Sequence, residues 1–109
     1  MKTELPVIAQ PRMDLPAPDV TRPQAVAALL ADRVRASILV MLAGGPHCVC
    51  EMAAALGERE NNVSNHLAKL REAGLVHSVR HEANARFSYY ERDEAACADA
   101  LRAIEALLS

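Results

Sequence analysis

No apolar run in this chain is long enough to span a bilayer, and its first residues lack both the basic start and the apolar stretch of a secretory signal. Those absences point to a cytoplasmic protein that keeps away from membranes. No Cys-x-x-Cys lies on a strand-helix-strand pattern, and no base-and-nucleophile set is recognisable, which argues against a redox enzyme, a metal carrier or any other catalyst. An excess of positive charge is missing too. With 12 Lys and Arg against 14 Asp and Glu, the formal charge of −2 argues against a nonspecific nucleic-acid binder. Cysteine is scarce, at three residues with none in the first 47. In a reducing cytoplasm an odd set of thiols reads as metal ligands, sensors or buried side chains, not as a disulfide framework. There is no internal repeat.

What is present is one small domain. At 109 residues and 51% hydrophobic content, the chain can bury a core, yet it is small enough that a second subunit would help complete it, so a homodimer is expected. Five of the six prolines (Pro6, Pro11, Pro16, Pro18, Pro23) fall in the first 23 residues. Residues 1–22 therefore read as an extended arm and 23–109 as the folded domain. Charge is unevenly placed. Residues 59–86 carry five cations (Arg59, Lys69, Arg71, Arg80, Arg86) against three anions (Glu60, Glu72, Glu82), a local +2, whereas residues 91–109 sum to −3. The middle of the chain suits phosphate and its end does not.

Hydrophobic spacing places the elements. Val26, Leu29 and Leu30 mark a short helix with Pro23 at its start. Val34, Ile38, Leu39 and Leu42 mark a second, which Gly44-Gly45-Pro46 must end. Val49 to Leu56 form a third, stopped by Gly57, and Val63, Leu67 and Leu70 mark a fourth over about residues 61–73, closed by Gly74. Two short helices joined tightly at Gly57 are a helix-turn-helix. All three aromatic residues, Phe87, Tyr89 and Tyr90, follow a change of period toward two, so residues 76–81 and 86–91 read as a β-hairpin. A last helix runs from Asp93 to Leu108 with Cys97, Leu101, Ile104 and Leu108 on one stripe. The expected fold is mainly α with a small β-hairpin: a winged helix-turn-helix in the order α-α-α-α-β-β-α.

Cys48-Val49-Cys50 stands just ahead of the helix-turn-helix. Two thiolates so close favour soft ions such as As(III), Cd(II), Pb(II) or Cu(I), and the spacing is not that of a structural zinc pair. In a continuous helix the two side chains would point roughly 200° apart and could not share an ion. Joint binding requires an unwound helix start, where the positive end of the helix dipole also favours thiolate. Cys97 reads either as a third ligand, since As(III) prefers three thiolates, or as a buried thiol on an apolar face, in which case an exogenous thiol fills the third place. His47 adjoins the pair and reads as a loop histidine or a ligand for a borderline metal, while His77 and His81 fall in the hairpin.

Leu30-Ala31-Asp32-Arg33-Val34-Arg35, Cys48-Val49-Cys50-Glu51-Met52, Asn62-Val63-Ser64-Asn65-His66-Leu67, Leu70-Arg71-Glu72-Ala73-Gly74-Leu75-Val76 and the Tyr89-Tyr90 strand, in that order, resemble the ArsR/SmtB family of bacterial metal-responsive repressors over about residues 24 to 108. The resemblance implies a homodimer held by its first and last helices that binds a palindromic operator on double-stranded DNA when metal-free and leaves it when metal binds. The Cys-Val-Cys element resembles that of the arsenic- and cadmium/lead-responsive members. Ala53 stands where the best-known arsenic sensors have a further cysteine, the N-terminal cysteines of cadmium/lead sensors are missing, and residues 93–109 contain no histidine of the kind that zinc, nickel and cobalt sensors place there. Arg59 replaces the usual serine at the start of the recognition helix, which passes its capping to Asn61 or Asn62. The wing lacks a tip glycine and has Glu82-Ala83-Asn84-Ala85 instead.

The residues expected to contact DNA are Asn61, Asn62, Ser64, Asn65, His66 and Lys69 on the fourth helix, with Arg71, Arg80 and Arg86 toward phosphate. The function expected from the sequence is a repressor that releases its operator when As(III), or else Cd(II) or Pb(II), binds Cys48 and Cys50. A rival of the same fold is a thiol redox or persulfide sensor using Cys97, although Val40 stands near where persulfide sensors carry the partner cysteine.

Overall fold

Eight elements follow one another in the computed structural model, which describes residues 5, 7, 10–80 and 86–109. They are α1 (Thr21–Leu30), α2 (Arg33–Ala43), β1 (His47–Cys48), α3 (Val49–Leu56), α4 (Glu60–Glu72), β2 (Val76–Val79), β3 (Tyr89–Arg92) and α5 (Glu94–Leu108). The expected order holds except for β1. That two-residue strand pairs antiparallel with β3, His47 to Tyr90 and Cys48 to Tyr89, so the hairpin becomes a three-stranded sheet in the order β1-β3-β2. Two residues are too few for alternation to reveal a strand. The hairpin strands are also shorter than expected, and His81 and the wing tip at 82–85 lie outside the described residues.

Local chemistry explains the helix ends. Asp32 caps α2 by accepting the backbone N–H groups of Val34 and Arg35 at 2.8 and 3.0 Å. α1 starts at Thr21, inside the expected arm, with Pro23 in its first turn where no intrahelical donor is needed. Gly57 ends α3 with φ +64°, the left-handed conformation that costs glycine nothing and lets the chain turn at once into α4.

Ile38, Met52, Val63, Leu67, Leu70 and Val76 are the largest fully buried side chains. Each contributes about 1.5–3 kcal/mol by leaving water. They come from α2, α3, α4 and β2, so the helix-turn-helix is fixed on a shared core. α5 differs from its expected stripe. Ala100 is its buried residue, Ala96, Cys97 and Ile104 are partly buried, and Leu101 and Leu108 are 58% and 87% exposed. The cause is that α5 packs mainly on α1, joined there by Arg22 to Asp99 at 2.9 Å, which leaves its Leu101 side outside the core. Among the described residues no helix is long and apolar enough to cross a membrane.

Candidate nucleic-acid interface and thiol site

Cys48 stands outside α3 and Cys50 stands inside it, and that difference brings their sulfurs together. Cys48 is the N-cap, with extended backbone at φ −83° and ψ 160°, while Cys50 lies in the first turn. The sulfurs are joined as a disulfide across Cα atoms 5.4 Å apart. The unwound start that joint binding needs is therefore built in, because β1 holds Cys48 extended against Tyr89. The pair itself was expected as two free thiols. Extended backbone at the first residue removes the helical rotation that would have separated them.

Cys48 also takes part in a capping box. Its backbone N–H donates to Glu51 Oε1 at 2.9 Å, and the Glu51 N–H donates to Cys48 Sγ at 3.3 Å. The three-residue spacing to Glu51 matches a capping box, yet a thiol is not a usual cap residue and the sequence reading passed over it. The next residue extends the tie, since Val49 N–H donates to Ser88 O at 3.0 Å at the foot of the wing. One sulfur thus sits where the start of α3 meets β3. His47 Nδ1 lies 3.8 Å from Glu51 Oε2, beside the same cap.

Cys97 is elsewhere. Its Sγ donates to Leu75 O at 3.7 Å, and it lines an apolar cavity of about 200 Å³ with Leu39, Leu75, Ala100 and Ile104. Burial raises its thiol above the ordinary 9.0. Among the described residues no three His, Cys, Asp or Glu side chains form a metal cage. The chain therefore brings two sulfurs together at the Cys-Val-Cys element, and Cys97 does not join them.

α4 buries Val63, Leu67 and Leu70 and turns Asn61, Ser64, Asn65 and Lys69 to solvent, with Arg71, Arg80 and Arg86 also exposed. Two residues expected on that face are held by neighbouring side chains. His66 is turned inward, its side chain 16% exposed, with Nδ1 accepting from the Arg35 guanidinium at 3.0 Å and lying 3.8 Å from Asp32 Oδ1. Position 66 thus stands on the flank of α4 that meets Arg35 of α2. Asn62 is partly buried and donates its amide to Glu58 Oε2 at 2.9 Å. Neither Asn61 nor Asn62 caps α4. Arg59 occupies the N-cap without a side-chain bond. His77 is held across the hairpin by Glu91 at 2.8 Å.

Arg35 is the residue that sequence reading missed. Its Nε donates to Leu29 O at 2.6 Å and its other nitrogens reach Ala28 O and His66, so one side chain spans α1, α2 and α4. An arginine in an amphipathic helix gives no signal of such a role before the fold is known.

A model of bacterial regulatory proteins of the arsR family matches residues 32–78, from the α2 cap to β2. The chain is 43% identical over 49 residues to the arsenical resistance operon repressor of Escherichia coli (strain K12), a stretch that covers 44% of this chain and 42% of that protein. It is 41% identical over 59 residues to an arsenic resistance transcriptional regulator of Pseudomonas putida, covering 53% of this chain and 46% of the relative. The chain thus spans less than half the length of these relatives, a repressor and a transcriptional regulator. Among solved structures it is similar to a possible transcriptional regulator for arsenical resistance, with TM-score 0.62 and 28% identity over 77% of this chain and 80% of the other. Reduced HlyU from Vibrio cholerae gives TM-score 0.61 and 27% identity over 79% and 84%.

Proposed function

We propose that the protein, whose residues 32–78 match the model of bacterial regulatory proteins of the arsR family, is a homodimeric transcriptional repressor that leaves its operator when As(III), or less favourably Cd(II) or Pb(II), binds reduced Cys48 and Cys50. The observation that carries the reading is the meeting of the two sulfurs at the N-cap of α3. Two thiolates suit a soft ion, and the helix start stabilises negative charge on them. The similarity to arsenic-resistance regulators supports As(III) as the ion.

Gripping an ion draws Cys48 Sγ away from the Glu51 N–H and breaks half of the capping box. Loss of a cap costs about 1 kcal/mol, and two protomers give about 2 kcal/mol, or roughly thirtyfold in affinity. The remainder of a full response comes from β3, to which Cys48 is paired. A shift there moves the wing while the weakened α3 tilts α4. The recognition helices of a dimer must match half-sites roughly 34 Å apart, so a small rotation of each loosens both.

Asn61, Ser64, Asn65 and Lys69 are proposed to enter the major groove, with Arg71, Arg80 and Arg86 on phosphate. The exposed Leu30, Leu101, Leu107 and Leu108 of α1 and α5 support a dimer through those helices. Without a membrane-spanning helix among the described residues, a cytoplasmic location fits this role. Titrating the reduced protein on operator DNA separately with arsenite, cadmium, lead, zinc and oxidant tests the proposal. Arsenite is expected to release DNA at the lowest concentration; release by zinc alone would overturn it.

The disulfide favours a second reading, in which oxidation of Cys48 and Cys50 is itself the signal. The oxidant arm of the same titration separates the two. A persulfide route through Cys97 gains nothing from its apolar cavity away from the pair.

A further inference from the structure

Resting on the arsenic reading, we propose that a free amino-acid thiol of the cysteine class completes the As(III) site, seated in a polar cavity beside Cys50. As(III) bonded to sulfur takes three thiolates, and this protomer offers two. The cavity has a volume of about 160 Å³ and is lined by Cys50, Glu60 and Ser64 of the helix-turn-helix and by Arg86, Phe87 and Ser88 at the base of the wing. Its lining is mainly polar, unlike the apolar cavity around Cys97.

The charges in the lining select the ligand. A thiol that is also an α-amino acid carries a carboxylate for the Arg86 guanidinium, an ammonium for the Glu60 carboxylate, and sulfur for an ion held at Cys50. A simple alkyl thiol satisfies only the last. The Arg86 guanidinium lies over the Phe87 ring, 5.3 Å from its centroid, which orients it at the cavity wall.

The chemistry balances. Two equivalents of the amino-acid thiol first reduce the Cys48–Cys50 disulfide and leave as their own disulfide. Arsenous acid then exchanges three As–O bonds for three As–S bonds, to Cys48, Cys50 and the third thiol. Each thiol proton departs with a hydroxyl as water, and arsenic stays trivalent throughout. Because Ser64 and Arg86 line the cavity and are also proposed DNA contacts, the third ligand occupies the groups the operator would use. Binding and release would then be coupled by direct competition as well as by the broken cap.

Native mass spectrometry and arsenic X-ray absorption of the full, reduced, DNA-free chain, with arsenite plus cysteine, thioglycolate, cysteamine or 2-mercaptoethanol, test this. A ternary adduct with cysteine and three sulfurs per arsenic is expected, at an affinity for cysteine about tenfold above that for the other thiols. Arg86→Ala should erase the advantage over cysteamine, and Glu60→Gln the advantage over thioglycolate. Both positions are exposed, so both variants are expected to fold. Equal affinity for all four thiols, or three sulfurs per arsenic in thiol-free buffer, overturns the proposal and leaves the arsenic reading standing. Absence of arsenic from the protein under every condition overturns both.

Discussion

Arg35 and His66 meet nitrogen to nitrogen at 3.0 Å, which ties α2 to the flank of α4. A guanidinium only donates, so Nδ1 of His66 is the acceptor. Arg35 also donates to Leu29 O at 2.6 Å, which links the end of α1 to the flank of the recognition helix through one side chain. His66→Ala should therefore lower unfolding free energy by about 1–2 kcal/mol. It should also weaken operator binding without changing the order of preference among base-substituted operators. A change in that order would return His66 to the DNA face.

Asn65 and Arg86 should fail in different ways. Asn65 is exposed on the face of α4 opposite Val63, and its amide can pair with the edge of adenine. Asn65→Ala is expected to relax preference at one base pair per half-site, costing about 1–3 kcal/mol on the preferred sequence. Arg86→Ala should weaken all sequences alike and reduce the salt dependence of log Kd by about one per protomer. Binding measured at three salt concentrations on matched and mismatched operators distinguishes the two.

Cys97 supplies a test in the alkaline range. Burial raises its thiol above the ordinary 9.0, so the folded state holds its proton longer than the unfolded chain. The stabilisation is complete below pH 9.0 and is lost as pH rises through the higher folded value. Thermal melts should show stability falling above that point, and Cys97→Ser should remove this part of the fall while leaving the arsenite response of the operator complex intact. Loss of the arsenite response in that variant would place Cys97 at the metal.

The turn between α3 and α4 rests on one backbone conformation. Gly57 has φ +64°, and although open space surrounds the position of an added Cβ, the dihedral strains any β-carbon. Gly57→Ala should cost about 1 kcal/mol, and Gly57→Asn less, by chemical denaturation. Equal stability for all three would remove the conformational argument.

How much of this could be read in the sequence depended on periodicity. The helices and their glycine stops were legible because Val63, Leu67 and Leu70 repeat at helical spacing and Gly57 and Gly74 follow the last apolar residues. β1 was not, since a two-residue strand exists only by pairing with β3 some 40 residues later. The surroundings of His66 and Asn62 were not legible, because a polar residue on a helix looks the same whether it is exposed, as Asn65 is, meets an arginine from another helix, as His66 does, or meets a carboxylate in the preceding turn, as Asn62 does. The stripe on α5 packs on the core at Cys97 and Ile104 but not at Leu101 and Leu108, which are apolar yet exposed, and helical spacing alone does not separate the two cases.

On the proposed function, the sulfurs of Cys48 and Cys50 jointly convert arsenite binding into loss of DNA. Fluorescence anisotropy of a labelled operator with reduced wild-type, Cys48→Ser and Cys50→Ser proteins tests it most directly. Each variant should bind the operator within about threefold of wild type, since neither position lies on α4, and neither should release it at arsenite concentrations that empty the wild-type complex. Release of either variant at the wild-type concentration would contradict the account.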